Sequence, residues 1–171
     1  LWKNTISLLG AKMKKIVYPG TFDPIHRGHL DIAKRASKLF DELIFAVADN
    51  ATKKPLFTVD ERVELIQKST QDFPNVRAMS TNKLIVEVAK NENACALIRG
   101  LRHVSDFEFE FQMAMMNYHL DPEITTIFMM PDEKYIHLNS TVIKEVTKLG
   151  GDLTDYVSKD VYNALKIKYS I

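Results

Sequence analysis

Five short apolar runs recur along the chain, and each stops at a turn residue before a stretch of helical periodicity begins. They are KKIVYPG at 14–20, ELIFAVA at 42–48, NVRAMS at 75–80, ACALIRG at 94–100 and TTIFMMP at 125–131. Runs of this length between turn residues read as strands. Helical patterns fill the intervals at His29–Phe40, Thr58–Thr70, Lys83–Asn91 and 105–119, and two more follow Ser140 and Ser158. Thr58 with Glu61 forms a capping box, Ser105 with Glu108 suggests a second, and Gly150-Gly151 marks a helix stop. Repeated strand–helix alternation imposes right-handed crossovers, and hence a parallel sheet covered on both faces. The expected fold is α/β, a single-domain, doubly wound parallel sheet of five strands. Ligands in such sheets bind beyond the carboxyl ends of the strands. That rule gathers the loops 18–29, 49–57, 99–106 and 131–141 on one rim.

Composition narrows the possible ligands. A chain of 171 residues, 46% of them apolar, can enclose one ordinary core. No repeat, linker or low-complexity tract interrupts 13–171, so that span is expected to be one domain. The 23 basic and 22 acidic side chains leave a net charge of +1. A chain so balanced lacks the field of a bulk nucleic-acid or membrane-surface binder, and any anionic ligand must be held locally. Cys95 is the only cysteine, which excludes an intramolecular disulfide and a four-thiolate zinc site and fits a cytoplasmic setting. No apolar segment reaches the roughly 20 residues of a membrane span. Residues 1–12, LWKNTISLLGAK, read as an upstream or appended leader, since a basic-apolar run opens at Met13. Gly10 and Lys12 break their apolar stretch too early for a secretory signal.

The segment FEFEF at 107–111 alternates with period two, as a strand would. Its continuation QMAMMNYHL contains no breaker, and Phe107, Phe111, Ala114 and Tyr118 share one helical stripe, so a helix is expected. Phe109, Met113 and Met116 lie off that stripe. Such a helix is apolar on more than one side and suits a subunit contact, a ligand groove or complete burial within one chain.

The first strand runs into Tyr18-Pro19-Gly20-Thr21-Phe22-Asp23-Pro24-Ile25-His26-Arg27-Gly28-His29, where a helix begins. Gly20 permits close backbone approach, and Gly28 leaves room at the helix start. His29 stands near a helix N-terminus, where free N–H groups and the helix dipole favour phosphate. An imidazole there can donate to a phosphoryl oxygen as charge develops. Read alone, His26 and His29 could equally be surface or capping groups, or half of a metal site without a visible third ligand.

The complete string resembles the signature of the nucleotidylyltransferase superfamily, in which T/H-x-G-H follows the first strand; here it reads His26-Arg27-Gly28-His29. PGTFDP at 19–24, KKPLFT at 53–58, LIRGLR at 97–102 and the Ser/Thr-rich helix start at 139–141 narrow the resemblance to the bacterial phosphopantetheine adenylyltransferases. The likeness spans 13–171 and implies a Rossmann-like nucleotidylyltransferase fold. It also implies transfer of AMP from ATP to 4′-phosphopantetheine, giving dephospho-coenzyme A and pyrophosphate by direct in-line attack.

The resemblance assigns Thr21, His29, Lys53 and Arg102 to catalysis. Phosphopantetheine would be held by Thr21, Lys53, Leu84, Ile85, Arg99 and Asn117. ATP would be held by Thr21, Phe22, His29, Gly100, Arg102, Glu110, Asn139, Ser140 and Thr141. Two positions depart from the family pattern: Asn139 replaces a common serine, which preserves helix capping, and Phe109 replaces a common tyrosine and loses its hydroxyl. Leu84, Ile85 and Phe109 would also serve as ordinary packing residues. Mg²⁺ is expected on the ATP oxygens, since no protein ligand cluster is visible. Homohexamer assembly and feedback binding of coenzyme A are further implications of the family. Alternatives are a sibling enzyme acting on nicotinamide mononucleotide or glycerol phosphate, which Arg99-Gly100-Leu101-Arg102 argues against, and a non-catalytic sensor on the same fold.

Overall fold

The computed structural model describes residues 13–49 and 54–171. Residues 1–12 and Lys53 lie outside this description. Five parallel strands, β1 (Lys15–Gly20), β2 (Glu42–Ala48), β3 (Val76–Thr81), β4 (Ala94–Gly100) and β5 (Thr125–Met129), are ordered β3-β2-β1-β4-β5. The helices are α1 (Arg27–Ala36), α2 (Val59–Ser69), α3 (Ile85–Asn91), α4 (Val104–Leu120), α5 (Ser140–Lys148) and α6 (Lys159–Tyr169), with a short 3₁₀ turn at Glu133–Tyr135. The expected doubly wound α/β architecture is therefore present. After β3 at one edge the chain crosses to β4 beside β1, and the reversal opens a crevice at the carboxyl ends of those two central strands.

Alternating strand residues feed two cores. Ile16, Tyr18, Leu43, Phe45, Val47, Ala96 and Ile98 pack with Ile32, Ile66, Ile143, Val161 and Leu165 from four helices on one face. Val17, Ile44, Ala46 and Leu97 face the other way, onto Val88 and Ala89 of α3. The central strands are thus buried on both sides, which is why they read as continuous apolar runs.

Helix ends follow local chemistry. Thr58 and Glu61 form the anticipated box: Thr58 Oγ1 accepts from Glu61 N–H at 3.2 Å, and Thr58 N–H donates to the Glu61 carboxylate at 2.8 Å. Gly150, at φ +78°, ends α5 with its N–H on the Thr147 carbonyl. Ser105 lies inside α4, whose N-cap is His103, so the second box suggested by sequence does not form.

α4 turns its apolar side chains away from the sheet. Its buried residues are the polar Glu110 and Asn117, seven positions apart on the inner face. Phe107, Phe109, Phe111, Met113, Met116 and Tyr118 are exposed. Complete burial of this helix within one chain is excluded, because these apolar side chains stand exposed while Glu110 and Asn117 face inward. Among the described residues no helix is long and apolar enough to cross a membrane.

Candidate active site

The crevice forms a cavity of about 280 Å³ lined by the loop after β1, the first turn of α1, the end of β4, α4, and the segment entering α5. Of the residues singled out from sequence, Thr21, Phe22, His29, Arg99, Gly100, Arg102, Glu110, Asn139 and Ser140 share its walls. Leu84, Ile85, Asn117 and Thr141 do not. Leu84 is an exposed N-cap of α3 that Ile85 follows, Asn117 is buried on the inner face of α4, and Thr141 is exposed.

His29 is built by local geometry. The backbone N–H of His26 donates to His29 Nδ1 at 3.3 Å. In the neutral ring, an accepting Nδ1 leaves the proton on Nε2, which is then a donor. The two imidazoles stack, with centroids 3.7 Å apart and planes 26° from parallel. A Cβ on residue 28 would stand 3.1 Å from the His26 ring, so glycine there is what lets the stack close over the helix start. Phe22, held at φ 50°, turns its ring edgewise to His29 with centroids 5.0 Å apart.

Both imidazoles are kept uncharged. Burial, reinforced by the Arg102 cation, pushes His26 down to about 3. Burial, then His26 and the arginines Arg102 and Arg99, hold His29 well below its ordinary value. Burial likewise pushes the Tyr18 phenol, another wall of the cavity, upward. His26 Nδ1 is buried without a hydrogen-bond partner among the described residues.

The cations are fixed by acceptors of the protein itself. Arg99 Nε and Nη2 grip Glu110 in a two-pronged pair at 2.7 and 2.6 Å, while Nη1 donates to the Pro19 carbonyl at 2.7 Å. Arg102 Nε donates to Asp106 at 3.1 Å and Nη1 to the Leu138 carbonyl at 3.1 Å. A guanidinium has five N–H groups, so anchoring on this scale still permits contact with a phosphate. Asn139 Oδ1 accepts from Val142 N–H at 2.8 Å and caps α5, as its chemistry suggested. Ser140 Oγ donates to the Pro24 carbonyl at 2.9 Å and ties the start of α5 to the loop after β1.

Glu110, which the family resemblance implied as an ATP contact, lies on the cavity wall and is the partner that orients Arg99. Asp106, which does the same for Arg102, was missed by sequence reasoning. Tyr18, Pro131 and Tyr135 complete the walls. Asp106 was signalled by its i,i+4 spacing from Arg102. Tyr135 carried no signal. Among the described residues no group of three or more His, Cys, Asp or Glu side chains is arranged to hold a metal ion by itself.

The cytidylyltransferase-like family model matches residues 17–146. A phosphopantetheine adenylyltransferase of Opitutus terrae is 50% identical over 154 residues, which is 90% of this chain and 96% of the relative. The chain belongs to the phosphopantetheine adenylyltransferase family. A solved structure from Vibrio parahaemolyticus, assigned as a nicotinate-nucleotide adenylyltransferase, is similar with a TM-score of 0.66 at 21% identity, covering 90% of this chain and 99% of that one. At that identity the likeness concerns the fold. Within the phosphopantetheine adenylyltransferase family pattern, the cavity coincides with the P-G-T-F-D-P, H-x-G-H and I-R-G-L-R segments of this sequence.

The buried neutral histidines give stability a pH dependence of known sign. The unfolded chain protonates His26 near 6.5, whereas the folded state does so only near 3. Between those values the unfolded state binds more protons, so stability falls as pH drops below about 6.5. Urea unfolding from pH 7 to 5 should show this decline, with a shallower slope in His26→Asn. An unchanged slope would remove His26 from the account.

Proposed function

We propose that this protein transfers the adenylyl group of ATP to 4′-phosphopantetheine, producing dephospho-coenzyme A and pyrophosphate. The observation that carries the reading is the convergence of Thr21, His29, Arg99 and Arg102 on one cavity in a chain of this family. In the proposed reaction a phosphate oxygen of phosphopantetheine attacks the α-phosphorus of ATP. The bond to the bridging oxygen breaks, and pyrophosphate leaves with its electron pair. The attacking group is already an anion, because the second ionisation of a phosphate monoester lies near pH 6. The protein therefore has no proton to remove. Its work is to hold two polyanions in line and to offset charge spreading over the transferring group.

The roles proposed for each residue follow from its chemistry. His29 presents Nε2–H to phosphoryl oxygens of ATP, a neutral donor that strengthens as negative charge grows. Arg99, already aligned by Glu110, receives the phosphate of phosphopantetheine. Arg102 receives ATP phosphates, with Ser140 and Asn139 at the start of α5 beside it. Lys53 joins the reacting phosphates on the strength of its motif. Mg²⁺ would be carried on the triphosphate oxygens and would supply further charge neutralisation there.

The exposed aromatic and methionine face of α4 is proposed as a contact between copies of this chain, consistent with a homohexamer acting in the cytoplasm. A continuous apolar surface of that kind is uncommon on a monomer. Sedimentation should give a mass several times 19.6 kDa, reduced by Phe109→Glu with Met116→Glu; a monomeric wild type would contradict the assembly.

The direct test is pyrophosphate release from ATP and Mg²⁺ with phosphopantetheine, nicotinamide mononucleotide or glycerol phosphate supplied separately. Only phosphopantetheine should respond, and a response to either other acceptor alone would reassign the substrate. His29→Ala should fold normally and lower turnover by about 10²–10³, the scale of one lost preorganised donor. Near-normal turnover in that variant would end its catalytic role.

A further inference from the structure

One cation in this fold lies beneath the cavity instead of on its wall. Arg62 of α2 is only 1% exposed. Its guanidinium donates to main-chain carbonyls: Nη1 to Thr21 at 2.8 Å and to Ala48 at 2.9 Å, and Nε to Phe57 at 3.2 Å and Thr58 at 3.3 Å. These four carbonyls come from the loop after β1, the end of β2, and the residues entering α2. Burying a guanidinium is unfavourable unless its donors are satisfied, and here backbone oxygens take up Nε and Nη1. Leu65 and Ile66, one turn further along the same face of α2, are ordinary core residues. An apolar side chain at position 62 would fit that stripe, so packing alone does not explain an arginine.

A second tie of opposite sign joins the same segments. The carboxylate of Asp23, only 4% exposed, accepts from Leu56 N–H at 3.0 Å and Phe57 N–H at 2.9 Å and pairs with Lys144 Nζ at 2.6 Å. A buried cation thus binds the carbonyl of Thr21, and a buried anion two residues later binds the approach to α2. Together they fix both flanks of Phe22, the residue that turns the loop through a left-handed conformation.

We propose that Arg62, seconded by the Asp23–Lys144 pair, is a positioning residue for the transfer reaction: by gripping the Thr21 carbonyl it holds the Thr21 side chain against the reacting phosphates. This rests on the phosphopantetheine adenylyltransferase reading above. Arg62 does not line the cavity, so its route to the reacting groups runs through Thr21. Its effect should therefore appear in kcat and disappear when Thr21 has nothing left to position. Lysine cannot replace it, since one ammonium cannot fork across carbonyls on different segments.

The test is a double-mutant cycle on kcat, with Arg62→Lys, Thr21→Val and both together, each variant's folded fraction fixed by circular dichroism. Arg62→Lys should lower kcat about tenfold to a hundredfold, the scale of a small misplacement, and leave both KM values within about threefold. The double variant should be no slower than Thr21→Val alone. Additive losses, or a Thr21→Val enzyme with wild-type kcat, would overturn the proposal. If Arg62→Lys does not fold, the same cycle with Arg62→Gln, which removes the guanidinium but keeps a polar amide, decides the matter by the same criterion. A wild type that responds to a different acceptor would correct the substrate reading, and the cycle would then be read with that acceptor.

Discussion

Three guanidinium groups are drawn to the carboxyl end of the sheet, and each is seated on oxygens that the protein itself provides. Arg99 rests on Glu110 and the Pro19 carbonyl, Arg102 on Asp106 and the Leu138 carbonyl, and Arg62 on carbonyls of Thr21, Ala48, Phe57 and Thr58. Two consequences follow from this anchoring. The loop after β1 acquires its shape from the arginines as much as from its own glycine and prolines. The positive charge of the cavity is also fixed in place before any anion arrives, so little reorganisation is left for the reaction itself.

The histidine pair completes that design from the other side. Surrounded by cations and buried, His26 and His29 remain neutral, and the hydrogen bond from the His26 backbone assigns the remaining proton of His29 to Nε2. A positively charged imidazole would add attraction for ATP in the ground state. A neutral one contributes chiefly as a directional donor, whose value rises as charge accumulates on the phosphoryl oxygens. Such a site suits an acceptor that is itself an anion.

Much of this was legible in the sequence, and the reasons differ by element. β1, β2 and β4 are buried on both faces, so their continuous apolar runs announced them, and the β–α alternation fixed the parallel topology. The loop 18–29 and the I-R-G-L-R segment pointed to phosphate chemistry because glycines, a helix start and arginines seldom coincide without an anion to bind. α4 was legible as a helix but not in its orientation. Periodicity ranks faces by polarity, and here the polar face turns inward to hold Arg99 while the apolar face turns outward. Arg62 was hidden for the opposite reason: a single charge on an apolar stripe reads as a boundary residue unless one asks which carbonyls converge on it. Thr58 and Glu61 could be paired from spacing alone because a capping box is local, whereas the tie between Asp23 and Lys144 spans most of the chain and had no local signature.

In the reaction proposed for this site, one anion displaces pyrophosphate from another in a single step, held by preset donors and without a covalent enzyme intermediate. The most direct measurement is the stereochemical course at the α-phosphorus, using ATP made chiral there with an isotopically labelled or sulfur-substituted non-bridging oxygen. One in-line displacement inverts the configuration, and inversion is the predicted result. Retention would require two successive displacements through a nucleotidylated side chain, and would contradict the mechanism drawn from Thr21, His29, Arg99 and Arg102.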